Sequence, residues 1–179
     1  MSYLSPLKGM PLESFQIYLT SVSDLSPLEG MRLKSFVCIQ NPVSDLSPLK
    51  GMPLRHLDIH QNGRISDLSP LQGMPLETLN LFDTSVSDLT PLKGMKLTRL
   101  DLAQTNVTDL SPLEGMPLEQ LIFWGTSVSD LTPLKGMKLS SLDISGTKVS
   151  DLSPLKGMKL EELFVVNTDV SDLSPLSFT

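Results

Sequence analysis

Residues 109–129 read DLSPLEGMPLEQLIFWGTSVS, and at Asp130 the same pattern starts again. The element D-L-[S/T]-P-L begins at Asp24, Asp45, Asp67, Asp88, Asp109, Asp130, Asp151 and Asp172, in steps of 21 residues with a single step of 22 after Asp45. A degenerate copy, YLSPL, begins at Tyr3. Self-similarity at a fixed period of roughly 20 to 50 residues marks a solenoid, in which each unit buries its apolar side only by stacking on its neighbours.

Two periodicities coexist inside the unit. The part L-x-x-L-x-L, as in Leu118, Leu121 and Phe123, alternates inward and outward residues and predicts a short strand. The part S-P-L-K-G-M carries helix punctuation, with Ser26 as expected N-cap, Pro27 at the first helical position and Gly30 at the left-handed stop. So few residues between cap and stop leave room for one turn, expected to be 3₁₀, with Leu28 and Met31 closing the core from behind. Each unit should add one strand to a parallel sheet. Between strand and turn a polar position recurs as Thr20, Asn41, Asn62, Thr84, Thr105, Thr126, Thr147 and Thr168, placed to form a ladder that satisfies backbone groups.

The unit L-x-x-L-x-L-x-x-[T/N]-x-V resembles the leucine-rich-repeat consensus over nearly the whole chain. Its short period resembles the class found in internalins and in a protein-phosphatase regulatory subunit. The resemblance implies an α/β solenoid with a parallel β-sheet on the concave face, short 3₁₀ or turn segments on the convex face, and protein binding by the concave sheet. Thr at a position where most leucine-rich repeats favour Asn is a departure that weakens the expected ladder.

Composition sets the outer limits. With 40% hydrophobic and 19% charged residues the 179-residue chain reads as a globular unit, expected to be a single solenoid over residues 1–179 without obvious end caps. The net charge of -6 and the lack of a basic block argue against nucleic acid and acidic membrane as partners. One cysteine, Cys38, excludes an intrachain disulfide, and MSYLSPLKGM has no basic-then-apolar leader, which favours a reducing, cytoplasmic setting. The ends, with Tyr3, Leu4 and Leu7 at one and Ser177-Phe178-Thr179 in place of K-G-M at the other, fit either end-to-end stacking or a piece of a longer array.

Comparing the copies separates framework from variable surface. The outward strand positions form columns that change chemistry at every copy, while the apolar and turn positions repeat. The second column runs Gln16, Val37, Asp58, Asn80, Asp101, Ile122, Asp143, Phe164, and the third Tyr18, Ile39, His60, Phe82, Ala103, Trp124, Ser145, Val166. A surface free to vary is available to a ligand. The expected partner-binding set is Tyr18, Ile39, Asp58, His60, Phe82, Asp101, Ile122, Trp124, Asp143 and Phe164, with Tyr18, Phe82, Trp124 and Phe164 as anchors. Its acidic tint points to a basic or mixed protein surface.

No arrangement of residues suggests catalysis. His56, Asp58 and His60 face one side of one strand, but two residues of strand cover about 6.6 Å, which puts the histidines about 13 Å apart, too far to share an ion. Cys38 falls in an inward slot and reads as an inert thiol. The repeated Ser and Asp belong to the framework rather than to a triad. One carboxylate per coil, from Asp24 and its equivalents, is too sparse for calcium and reads as a cap on nearby backbone N–H groups. The sequence therefore predicts a non-catalytic protein-recognition module without metal or cofactor. Its alternatives are an assembly element or array fragment that self-associates through its ends, and a consensus-like scaffold with no natural ligand.

Overall fold

The computed structural model describes residues 4–177, so the parts of the end reading that concern Tyr3, Phe178 and Thr179 lie outside the described residues. Eight strands form a single parallel sheet in chain order. They are β1 (Ser14–Tyr18), β2 (Ser35–Ile39), β3 (His56–Asp58), β4 (Thr78–Asn80), β5 (Arg99–Asp101), β6 (Gln120–Ile122), β7 (Ser141–Asp143) and β8 (Glu162–Phe164). Each is separated from the next by one 3₁₀ turn of sequence S-P-L or T-P-L, from Ser26–Leu28 to Ser153–Leu155. Further turns at Ser5–Leu7 and Ser174–Leu176 flank the sheet.

The register never drifts. Leu57 pairs with Leu79, Leu79 with Leu100, Leu100 with Leu121 and Leu121 with Leu142, so identical slots stack rung on rung. Leu121, Phe123 and Val128 have no exposed surface, and Leu113 from the turn and Met116 behind it complete the same layer at 0% and 4%. This is the interior sorted by the period-2 alternation. The terminal coils are less covered: Leu160, Leu163, Val165 and Val170 are only half-buried, and Leu173 is 57% exposed.

Of the two cap formers that the sequence offers, Asp24 caps the turn as expected and Ser26 does not. Ser26 is the first residue of the turn and Leu25 holds the cap position without a side-chain bond. The capping oxygen belongs to Asp24, whose Oδ1 accepts the Ser26 N–H at 2.8 Å. The same 2.8 Å bond recurs down to Asp172 and Ser174. A first-turn N–H has no partner inside its own turn, so an Asp two residues earlier supplies one. At the other end Gly30, at φ +78, lets Met31 donate its N–H to the Leu28 carbonyl. Gly is the one residue that takes this left-handed backbone without strain.

The polar ladder is real over three rungs and then stops. Asn62 Oδ1 accepts the N–H of Asn41, and Asn41 Oδ1 accepts the N–H of Thr20, both at 3.0 Å across coils. The Asn62 amide donates to the carbonyls of Cys38 and Ile59. From Thr84 onward the hydroxyl bonds only within its own coil, as in Thr84 to Leu81, Thr105 to Leu102 and Thr126 to Phe123. At this position the threonine hydroxyl turns back to the carbonyl three residues earlier, and it lacks the length by which the Asn amide oxygen reaches the N–H of the preceding coil. The extra residue after Asp45 is absorbed in a tight turn closed by the Ile65 N–H on the Asn62 carbonyl, which leaves Ile65 fully buried and the register intact.

Candidate functional site

The outward residues of the sheet divide into architectural and free positions more finely than the sequence suggests. In four of the six three-residue strands the second-column residue is Asp or Asn, and its oxygen accepts the N–H two residues ahead. Asp58 takes His60 at 3.2 Å, Asn80 takes Phe82 at 3.0 Å, Asp101 takes Ala103 at 3.0 Å and Asp143 takes Ser145 at 2.9 Å. These three carboxylates and one amide thus work for the backbone as well as facing outward. The column after the aromatics is constrained too. Leu19, Gln40, Gln61, Asp83, Gln104 and Asn167 all adopt φ between +53 and +56, with Gly125 and Gly146 at +70 and +64. That position is the corner where the chain leaves the sheet, not a further strand residue.

The third column carries the aromatic surface. The His60 ring lies 6.0 Å from Phe82, and Phe82 lies 5.6 Å from Trp124, tilted by 38°. Adjacent strands are about 4.8 Å apart, so Phe82 and Trp124 on alternate coils can meet only if the coil between them has a small side chain. Ala103 supplies it, and is completely buried on a face otherwise open to solvent. The separation lies within the range of about 4.5–7 Å at which aromatic pairs interact. The result is a joined row, His60, Phe82 and Trp124, each half-buried.

The remaining expected residues are not gathered into that row. Tyr18, 46% exposed, donates to Gln16 Oε1 at 2.7 Å on the first strand. Phe164, 47% exposed, belongs to the last strand. Ile39 and Ile122 are half-buried on the face. Sequence reasoning missed Ala103 and Asn80 as supports, although the single small residue between Phe82 and Trp124 in that column was a legible signal.

Charge on this face is lopsided. On the strands and the corners that follow them, from Ser14–Leu19 to Glu162–Asn167, Asp58, Asp83, Asp101, Asp143 and Glu162 are set against Arg99 as the one Lys or Arg. Other cations, such as Lys50, Lys93 and Lys135, follow the 3₁₀ turns on another side of the coil. Burial raises the Asp101 carboxyl above its ordinary value, opposed by the Ala103 N–H and Arg99. His60 Nδ1 lies 2.6 Å from Asp58 Oδ1 and 3.3 Å from the Asn80 amide, while His56 Nδ1 meets the Thr78 hydroxyl at 3.0 Å. The two histidines thus bond to separate partners, and among the described residues no group of three His, Cys, Asp or Glu is arranged to hold a metal ion. A shallow depression of about 420 Å³ sits away from this face, lined by Leu155, Met158, Leu160, Leu163 and Leu176 of the last coils. Cys38 is buried with its thiol pushed up to about 12 by desolvation, the Asn41 amide opposing. No helix among the described residues is long and apolar enough to cross a membrane.

Solved structures with this geometry exist. An internalin (InlF) from Listeria monocytogenes superposes with a TM-score of 0.90 at 27% identity, over 98% of this chain and 54% of its own. The internalin C2 (InlC2) of the same organism superposes at 0.87 with 31% identity, over 92% of this chain and 76% of its own. The functional domain of InlJ, also from Listeria monocytogenes, shares the fold alone, with a TM-score of 0.58 and 22% identity over 96% of this chain and 43% of its own. The chain therefore spans about half the length of the InlF structure, which extends beyond it. No protein-family model and no curated protein sequence matches. A continuous parallel sheet, one strand and one 3₁₀ turn per 21-residue coil, and these neighbours define the class: the chain belongs to the leucine-rich-repeat proteins, in the short-period group of the internalins.

Proposed function

We propose that the chain is a non-catalytic protein-recognition module that binds its partner on the variable strand face. The observation that carries this reading is the joined row His60, Phe82 and Trp124, held half-exposed above a framework whose interior is already complete. Aromatic side chains that remain at a surface with their apolar area uncovered are the usual anchors of protein interfaces. Eight strands at about 4.8 Å make a strip roughly 35 Å long, enough for an interface of standard size. Within it Tyr18, Ile39, Asp58, Asp101, Ile122, Asp143 and Phe164 flank the row as partner contacts. The internalin-like neighbours support protein binding as the task of the fold. The surface charge favours a protein over nucleic acid or an anionic membrane.

The test is proximity capture with the parent chain and with a variant carrying Phe82→Ala and Trp124→Ala. A defined protein partner, re-tested as a purified component, should bind the parent and lose about 2 kcal/mol or more with the variant, roughly thirtyfold in affinity. Equal binding by both would remove the strand face from the reading. A second reading, association of copies through the ends, draws on the half-buried Leu160, Leu163 and Leu176 of the last coil. Light scattering across a dilution series separates it, because a monomer at every concentration contradicts end stacking.

A further inference from the structure

Trp124 occupies a symmetric electrostatic position. Ile122, two residues before it on β6, pairs with Asp101 of β5 on one side and Asp143 of β7 on the other. The single tryptophan of the chain is thus flanked on adjacent rungs by two half-buried carboxylates, each about 5 Å to the side and about 7 Å along the strand direction. Each carboxylate has one N–H donor, from Ala103 and Ser145. Among the described residues no ion pair joins either of them to a Lys or Arg, Arg99 included. Beyond Trp124 the corner column carries no side chain of its own at the exposed Gly125 and Gly146, and the Gln104 side chain of the preceding coil lies beside Gly125.

We propose that Trp124 and Phe82, with the carboxylates of Asp101 and Asp143, form a receptor for a cationic side chain of the protein partner, arginine in preference to lysine. This rests on the strand face being the recognition surface. The face of an indole attracts a cation through its quadrupole, most strongly for tryptophan. A guanidinium lies flat on such a ring while its rigid fork directs N–H donors sideways to carboxylates, whereas an ammonium is a compact point that cannot do both. Asp101 carries a desolvation cost that the Ala103 N–H and the charge of Arg99 offset without a direct ion pair. A partner's guanidinium would neutralise both, and burial already pushes Asp101 towards its neutral form.

Trp124 reports on its own occupancy, because it is the only tryptophan. The probes are a blocked pentapeptide with two arginines spaced by glycine, the same peptide with lysine, and the same peptide with citrulline, which keeps the shape of arginine without its charge. The arginine peptide should change Trp124 emission saturably, the lysine peptide more weakly, and the citrulline peptide not at all. The double variant Asp101→Asn and Asp143→Asn keeps both acceptors for the backbone and should lower the arginine affinity about tenfold, the equivalent of 1.4 kcal/mol. An equal response to citrulline, an unchanged affinity in the folded double variant, or no saturable change with arginine overturns the receptor. If a purified partner still binds the parent and loses affinity with Phe82→Ala and Trp124→Ala, that failure is confined to the cation receptor and the strand-face reading stands.

Discussion

The ring of Phe82 meets the ring of Trp124 across an intervening coil, 5.6 Å from centroid to centroid, over a buried Ala103. The contact depends on what is missing from the middle rung. Ala103→Leu should pry the rings apart, cost about 1–3 kcal/mol through overpacking, and move Trp124 emission to the red as the ring is wetted. Phe82→Ala should give the same red shift with a smaller stability loss. Emission spectra with thermal melts distinguish the two, and an unshifted spectrum in both would mean that the rings are not in contact in solution.

Asp101 should be improved by Asp101→Asn. Coil four already uses Asn80 at this position to accept the N–H of Phe82, so the amide can replace the carboxylate without losing its bond. Because burial raises the Asp101 pKa, the folded state holds the proton more tightly than the unfolded one, and stability declines as pH rises from the ordinary value of 3.8 through the folded value. The variant should lack that decline and melt at or above the parent temperature at pH 7. A lower melting temperature at pH 7 would show that the charge is compensated.

The capping carboxylates respond to acid in the opposite sense. Bonds from the Thr90 hydroxyl and N–H hold the Asp88 carboxyl below 3.8, and those from Thr132 and Ser153 do the same for Asp130 and Asp151. Their stabilisation is fully present above the unfolded value and is lost as pH falls through the lower folded values. Melts in buffers below pH 4 should therefore show Asp88→Asn as less acid-sensitive than the parent, while Asp88→Ala, which removes the acceptor, melts lower at every pH.

Asn62→Thr should shorten the ladder. A threonine there would satisfy Ile59 as Thr84 satisfies Leu81, but the Asn41 N–H and the Cys38 carbonyl would lose their present partners. The cost should be about 1–3 kcal/mol, measured by urea unfolding with an unchanged slope. The reverse change, Thr84→Asn, should extend the ladder and raise the midpoint.

Cys38 should be inert until the chain opens. Its thiol is fully buried and pushed up to about 12, so a thiol reagent at pH 8 should react at the rate of unfolding rather than at the rate of free cysteine. Rapid labelling of the folded chain would place Cys38 in a coil that opens locally.

Most of the fold was legible because one chain holds many copies of the same unit. Leu121, Phe123 and Val128 could be assigned inward from period alone, and the 3₁₀ turn from Pro112 and Gly115 flanking Leu113. The cap by Asp24 was legible, whereas Ser26, expected at the cap position, is the first residue of the turn, because Ser and Asp are both cap formers and only coordinates show which oxygen meets which N–H. The site was less legible for a different reason. Phe82 and Trp124 were expected as anchors together with Tyr18 and Phe164, and His60 as a contact residue, but the joining of His60, Phe82 and Trp124 depends on Ala103, a residue whose importance lies in its lack of bulk. Asp58, Asp101 and Asp143 read as variable surface, yet their second bond, to the backbone two residues ahead, follows from the Asp or Asn side chain being just long enough to reach it.

Because each strand pairs only with its neighbours in chain order and the register repeats without drift, no coil among the described residues is tied by the sheet to one farther away. A duplication or deletion of one complete 21-residue unit would therefore heal at a single seam. Recombination between near-identical copies could change the length of the docking strip in whole increments, and place new aromatic neighbours beside Trp124, without redesigning the interior.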